Sequence, residues 1–472
     1  MEKNKHQGEG TIPAISRRQF IQAGSALAAL PFVVKTGKVQ AQGAAVSDTT
    51  PEEKVVQTCS TFDCGGKCDI RAHVSEGVVT RISTRPDNAL DPQMPVMRAC
   101  VRGRAYRKFV YHPDRLKYPM KRVGKRGEGK FERITWDEAT TLIANQLKTI
   151  TQKYGAASRY VHVGTAVSGG TFSGDKMVRR LLNLTGGYLE SYHSVSMGNT
   201  VAATPYTYGT AASGSSLDTL LDTKLVILWG HNPTETIFGH SNHFYQKMKQ
   251  NGTRFIVVDP RYSDTVSSLA DQWIPLLPTT DNALMDAMMY VIVTENLHDR
   301  DFIQRYTLGF DEDTMPEGVP SNESLMAYLS CAKDVVAKTP EWAEKITHVP
   351  AQTIRQLARD YATTKPAALI QGWGPQRHAN GEIATRAISM LSILTGNVGI
   401  HGGNSGAREG SYEVPFERMP TLDNPVQTSI SMFMWTDAIE RGPEMTALRD
   451  GVRGKDKLDV PIKMIWNYAG NC

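Results

Sequence analysis

The sequence predicts a multidomain α/β protein: a small cysteine-bearing N-terminal domain, then two doubly wound α/β domains, the second incomplete. Three observations predict it. At roughly 150 residues per domain, a chain of 472 residues divides into about three. Two apolar runs, 224–229 and 254–258, each end in a turn and stand some 30 residues apart, the rhythm of parallel strands joined by a helix. A further strand-like run, 460–468, comes just before the last residue, Cys472, so the second domain is expected to stop early.

Composition narrows the class. Charged residues make up 21% of the chain and apolar ones 40%, so it is neither disordered nor fibrous. A net charge of +5 is too small to call for a nucleic-acid partner. No run reaches the roughly 18 apolar residues of a membrane helix. Six cysteines in 472 residues exclude a disulfide-built scaffold.

Taken in order, residues 1–45 read as an address. A polar stretch leads to Ser16-Arg17-Arg18-Gln19-Phe20-Ile21, then a mild apolar run over 23–34, then small residues at Ala41, Ala44 and Ala45. The order of regions is that of an export signal, and the paired arginines resemble a twin-arginine signal. An amphipathic helix with two exposed arginines is the plainer alternative. The twin-arginine route carries folded proteins, so it suits a protein that acquires its cofactor before export to the periplasmic side, and it implies an export chaperone.

Residues 46–120 hold the cysteine window. Cys59-x4-Cys64-x3-Cys68, then 31 residues, then Cys100, places four thiols within 42 residues. Thiolates select zinc or iron–sulfur clusters. Three close cysteines and one distant one suit a [4Fe–4S] cubane, which takes a thiolate at each corner. Gly65-Gly66 lets the chain wrap closely. Two disulfides or a structural zinc are the alternatives. Cys331 reads as a small buried residue in a helix. Twelve Lys and Arg lie between Arg102 and Arg133, against three acids. Most read as a solvated face. Arg102, two residues from Cys100, would stabilise an added electron or bind an anionic cofactor.

After a mixed α/β segment over 121–220, residues 221–365 read as a nucleotide-binding-like α/β domain. The first strand ends in Gly230-His231-Asn232-Pro233, whose backbone would cradle phosphates. The second ends in Asp259-Pro260-Arg261, with Asp259 placed to accept from a ribose hydroxyl; a turn aspartate is the alternative. There is no G-x-G-x-x-G, which argues against a nicotinamide enzyme. A third run over 273–277 precedes Pro278-Thr279-Thr280-Asp281. From 366 to 472 the pattern repeats: an apolar run at 367–370, the loop Gln371-Gly372-Trp373-Gly374-Pro375-Gln376-Arg377-His378, a helical stretch over 383–394, and the glycine-rich 396–404, with His401 a loop residue.

The twin-arginine signal, the cysteine window, Cys100-Val101-Arg102-Gly103-Arg104, His112-Pro113-Asp114-Arg115-Leu116-Lys117-Tyr118-Pro119 and Ile134-Thr135-Trp136-Asp137-Glu138-Ala139 together resemble the molybdopterin oxidoreductases of the dimethyl sulfoxide reductase family. The likeness extends over nearly all the chain after the signal. It differs in having four residues between Cys59 and Cys64 where the family pattern has three, and Thr279 where the pattern has glycine. The resemblance implies a bis-molybdopterin guanine dinucleotide centre and one [4Fe–4S] cluster held by Cys59, Cys64, Cys68 and Cys100. It implies Arg102 between cluster and pterin, Asp281 at the guanine nucleotide, and Gly374, Arg377 and His378 beside the pterin. Counting from Gly186-Gly187-Tyr188-Leu189 puts Ser196 on the molybdenum ligand, with Val195 where a tyrosine usually stands.

The activity so implied is reduction of an S-oxide or N-oxide, dimethyl sulfoxide foremost, in anaerobic respiration, with an iron–sulfur electron-transfer subunit and a membrane anchor as partners. A selenate or other oxyanion reductase is the alternative within the subfamily. A fragment that keeps the signal and cluster site but lacks catalysis, its closing domain missing, and a zinc-bearing nucleotide-binding enzyme are alternatives of other classes.

Overall fold

Leu225–Trp229 is a run of five apolar residues, and a strand of that composition needs cover on both faces. The computed structural model shows how it is covered. It describes residues 52–60, 68–84, 91, 94–96, 98–164, 174–237, 241–408, 410–412 and 417–469. The chain divides into two units, Met1–Glu52 and Glu53–Cys472. The expected signal, Cys64 and Gly65-Gly66 lie outside the described residues.

An antiparallel sheet of three strands comes first: β1 (Lys54–Cys59), β2 (Asp69–Ser75) and β3 (Val78–Thr84), in that order. A hairpin follows, β4 (Met120–Arg122) with β5 (Phe131–Arg133). The helix Trp136–Tyr154 begins at Thr135, whose hydroxyl accepts from Glu138 N, and carries Asp137 and Glu138 in its first turn. It ends at Gly155 with φ +79°, a conformation glycine adopts without a Cβ clash. Then come β6 (Arg159–Val163) and β7 (Glu190–Tyr192).

The central parallel sheet consists of β8 (Leu225–Trp229), β9 (Arg254–Val258), β10 (Gln272–Ile274) and β11 (Ala367–Gln371), in the order β10-β9-β8-β11. Side chains alternate across a strand, and here the alternation assigns two cores. Leu225, Ile227, Trp229, Ile256, Val258 and Leu369 pack with the helices Asp281–Thr294, Ala351–Thr363 and Gly381–Leu394. Val226, Leu228, Phe255, Val257 and Ile370 pack on the opposite side with the helices Ser241–Gln250 and Asp264–Leu269. Each fully buried aliphatic side chain contributes about 1.5–3 kcal/mol, so this doubly covered sheet is the principal source of stability.

Two late strands return to early ones. β12 (Ser429–Ser431) pairs parallel with β7, and β13 (Met464–Tyr468) pairs parallel with β6. A bridge from Tyr160 to Leu189 joins the two pairs. The resulting arrangement is also parallel, but it combines residues 159–192 with residues 429–468.

The difference from the sequence-based division is physical. Sequence order groups β11 with the last hundred residues, yet it extends the central sheet by pairing along its length with β8. Hydrogen bonding rather than chain proximity decides which sheet a strand joins. The last strand begins at Met464 rather than at 460, and its exposure alternates, as for a strand with one open face. Cys331, expected buried, is exposed in a turn with φ +67° after the helix Leu325–Leu329.

Candidate functional site

The strand order sets the location. β9 and β10 follow β8 on one side, whereas β11 lies on the other. The direction of winding therefore reverses between β8 and β11, and ligands of doubly wound sheets bind beyond the carboxyl ends of strands at such a reversal. There the two loops press together. Gly372 N donates to Trp229 O at 2.9 Å, and a Cβ on Gly372 would collide with the Gly230 carbonyl oxygen. Gly230 has φ +53°, and a Cβ on it would stand 2.5 Å from Pro375 Cδ. Gly374 N donates to Gly230 O at 3.4 Å. Glycine is required because two backbones meet without room for a side chain.

Around this junction stand the residues expected to bind a nucleotide. Asn232 Oδ1 accepts from Thr265 Oγ1 at 2.6 Å, and its amide donates to Glu235, which also pairs with Arg261. Asp259 Oδ1 accepts from Arg261 N at 2.9 Å, an Asx turn at the end of β9. Burial pushes the Asp259 carboxyl above its ordinary value, partly opposed by that bond and by the Arg261 charge. Asp281 opens the helix Asp281–Thr294 and is buried. Its Oδ1 accepts from Trp229 Nε1 at 2.8 Å, and its Oδ2 stands 4.0 Å from His378 Nε2. Burial raises its pKa as well, against the Trp229 bond and the nearby His378. Thr279, just before it, has φ +72°, the left-handed region that a glycine would occupy freely.

Ser196 lies in the turn between β7 and the helix Gly198–Tyr208. The approach to it is fixed by charge: Arg179 donates to both oxygens of Glu190 at 2.7 and 2.8 Å and to Tyr188 Oη at 2.7 Å. The helix is capped at Met197 without a side-chain bond, so the Ser196 hydroxyl is not spent on a cap. It makes no hydrogen bond among the described residues. Its carbonyl oxygen accepts from Gln376 Nε2 at 3.0 Å and from Arg377 Nε at 3.1 Å. Gln376 Oε1 accepts from Asn199 N at 3.2 Å, and Asn199 Nδ2 donates to Gln376 O at 2.7 Å. A cleft of about 510 Å³ opens here, lined among others by His193, Val195, Asn199, Gln376, Arg377 and His378.

The cysteines form a second group. Cys59 ends β1 opposite Asp69, and Ser60 N donates to Cys68 O at 3.0 Å, bringing the ends of β1 and β2 together. Cys68 is 3% exposed and packs with Ile70 and Ala99, the residue before Cys100. Cys100 precedes the short helix Val101–Arg104, whose Gly103 passes so near Ala99 that a Cβ would lie 2.9 Å from that methyl group. Among the described residues Cys59, Cys68 and Cys100 form no disulfide. Among the described residues no three His, Cys, Asp or Glu side chains converge on a single ion. Arg102 is exposed on the helix beside Cys100.

Residues 115–467 match the family model described as molybdopterin oxidoreductase, and residues 53–112 match that of the molybdopterin oxidoreductase Fe4S4 domain. The chain belongs to the molybdopterin oxidoreductases. The family's cofactors, a molybdopterin and a [4Fe–4S] cluster, go with these two matches. This molybdopterin oxidoreductase is 52% identical over 97% of its length to the dimethyl sulfoxide reductase DmsA of Escherichia coli (strain K12). It is 49% identical over 97% of its length to the DmsA of Haemophilus influenzae. It spans 58% of the length of each. Acetylene hydratase from Pelobacter acetylenicus has the same fold, with a TM-score of 0.59 at 26% identity, over 74% of this chain and 44% of its own.

The residues present fit those cofactors. Cysteine sulfurs are soft donors, suited to a cluster. His378 Nε2 is buried with no hydrogen bond, which is costly unless a ligand completes it. The glycine junction is a cradle of bare backbone.

Of the residues expected from sequence, the fold brings Gly230, Asn232, Asp259, Arg261, Asp281, Gly374, Arg377 and His378 to one edge of the central sheet, and Ser196 to its flank. Cys59, Cys68, Cys100 and Arg102 form their own group at the first sheet. Gln376, Asn199 and His193 escaped sequence reasoning. Gln376 sits inside the glycine-bearing loop, but nothing in its neighbours distinguishes an amide that clamps a distant turn.

Proposed function

We propose that the chain is the catalytic subunit of an S-oxide or N-oxide reductase, with dimethyl sulfoxide the foremost substrate. The observation that carries this reading is the Ser196 turn, clamped by Gln376 and Arg377 beside the sheet's reversal point, with its hydroxyl left unbonded. No cysteine occurs in the segment 186–197.

In this reading Ser196 Oγ is the protein's ligand to molybdenum. Gly374, Arg377 and His378 hold the pterin, while Gly230, Asn232, Asp259, Arg261 and Asp281 hold its guanine dinucleotide extensions. Cys59, Cys64, Cys68 and Cys100 hold the [4Fe–4S] cluster, and Arg102 lies on the electron path beside it. When bound, the molybdenum centre supplies oxygen-atom transfer and the two electrons it requires. In balance, a sulfoxide takes up two protons and two electrons and yields the corresponding sulfide and one water. The protein binds and orients the oxide in the cleft, and Gln376 with Arg377 keeps Ser196 aimed. Electrons arrive from an iron–sulfur subunit, a membrane anchor holds the assembly, and the Arg17-Arg18 signal, met by an export chaperone, delivers it to the periplasmic side. No helix of the described residues is long and apolar enough to cross a membrane.

Ser196→Ala tests the reading. It is expected to retain iron at wild-type content and to lose turnover with dimethyl sulfoxide. Turnover near the wild-type rate would exclude Ser196 as the ligand.

A further inference from the structure

His193 lies three residues before Ser196 and carries φ +76°. That region is uncommon for residues other than glycine, and a backbone held there is set by its surroundings. The ring is nonetheless held firmly. Nδ1 stands 3.1 Å from Ser431 Oγ on β12, and the ring meets Tyr192 edge-on at 4.5 Å. Tyr192 is itself anchored, its hydroxyl donating to Gly451 O at 2.5 Å and its ring covered by Arg453 at 3.6 Å. Nε2 has no partner among the described residues, and the side chain lines the cleft with Val195, Asn199, Arg377 and His378 while remaining open to solvent. An imidazole pinned at one nitrogen, with the other free in a reaction cleft and in reach of water, has the arrangement of a proton donor.

We infer that His193 Nε2 delivers a proton to the oxygen atom removed from the substrate, an inference that rests on the reading proposed above. The reaction consumes two protons for each oxygen released as water. His193 in its protonated form gives up one of them at Nε2, becomes neutral, and is reprotonated from solvent. The electrons are those of the molybdenum centre already named. Burial, aided by the Arg453 charge, moves the imidazole below its ordinary pKa. Arg377 and His378, which line the same cleft, and Tyr192, against the ring, are the other charged or titratable neighbours. The lowered pKa makes the protonated ring a stronger acid and confines that form to pH values below the ordinary imidazole range.

His193→Gly and His193→Asn, both able to take a left-handed backbone, are to be compared with wild type in cofactor-loaded protein. Both variants should keep wild-type iron and molybdenum contents. The glycine variant should unfold at a temperature no lower than wild type. Turnover should fall about 100-fold or more in each, with little change in KM. The fall in wild-type rate as pH rises through a pKa below 6.5 should disappear from the variants, and free imidazole should restore part of the glycine variant's rate. Unchanged turnover and pH profile in the variants, beside an active wild type, would overturn the inference alone. Metal loss in both variants, with unfolding at a lower temperature, would also overturn it by making His193 a structural residue. A loaded wild type that reduces no oxide would overturn the proposed function and this inference with it.

Discussion

Gln376 Nε2 donates to the main-chain oxygen of Ser196 at 3.0 Å, across 180 positions of sequence. The same amide accepts from Asn199 N, so a single side chain grips both ends of the turn that presents the serine. Replacing it by leucine leaves a partly buried carbonyl and N–H short of a partner, at about 1–3 kcal/mol. Gln376→Leu should keep its iron and molybdenum and lose turnover about tenfold to hundredfold, since 1.4 kcal/mol corresponds to about a factor of ten. Arg377 still holds the same oxygen, which limits the loss. Metal analysis beside steady-state kinetics checks both parts, and full activity in the leucine variant would show that the clamp does not matter.

A second expectation concerns the meeting of β8 and β11. Gly372→Ala puts a methyl group into the Gly230 carbonyl. The loop must move or the strands must separate, and overpacking of this kind costs about 1–3 kcal/mol. Denaturant titration should show a lower midpoint with an unchanged slope. Because the displaced loop carries Gln376, Arg377 and His378, turnover should fall by more than the stability loss alone would cause.

Stability should also respond to pH through Asp286. This carboxyl is buried in the helix Asp281–Thr294 and accepts from Tyr328 Oη at 2.7 Å. Burial pushes its pKa up to about 6, with the Tyr328 bond and Lys338 opposing. The fold therefore holds its proton at pH values where the unfolded chain, with a pKa near 3.8, has released it. The stabilisation is complete below pH 3.8 and is lost as pH rises through about 6. Asp286→Asn should remove this dependence, so the stability difference between variant and wild type should change between pH 4 and 7. A constant difference across that interval would contradict the assignment.

Continuous apolar runs make β8, β9 and β11 legible, because a strand covered on both faces needs no alternation. The Asp259 and Asp281 positions are legible as strand ends and helix starts. β7 and β12 are not, being three residues each and mixing polar with apolar residues, with a pairing that spans more than two hundred positions. The run ending at Tyr468 looks unpartnered in sequence because its partner, β6, lies some three hundred residues earlier. Cys331 misleads because a helical pattern before it continues in sequence while the chain turns away at Ser330. His193 and Gln376 are invisible for a related reason: their importance lies in a backbone angle and a distant contact, neither of which leaves a mark on neighbouring residues.

The return of β12 to β7 also sets a timetable. Residues 190–192 lead directly into the Ser196 turn, but their neighbour at 429–431 is made some 240 residues later. At about 5–20 residues per second of synthesis, the serine turn waits roughly 10–50 seconds on the ribosome for the strand beside it. The central sheet, complete once residue 371 has emerged, can form well before that. During synthesis the glycine junction between β8 and β11 can thus form while the edge that carries the Ser196 turn still lacks its neighbour.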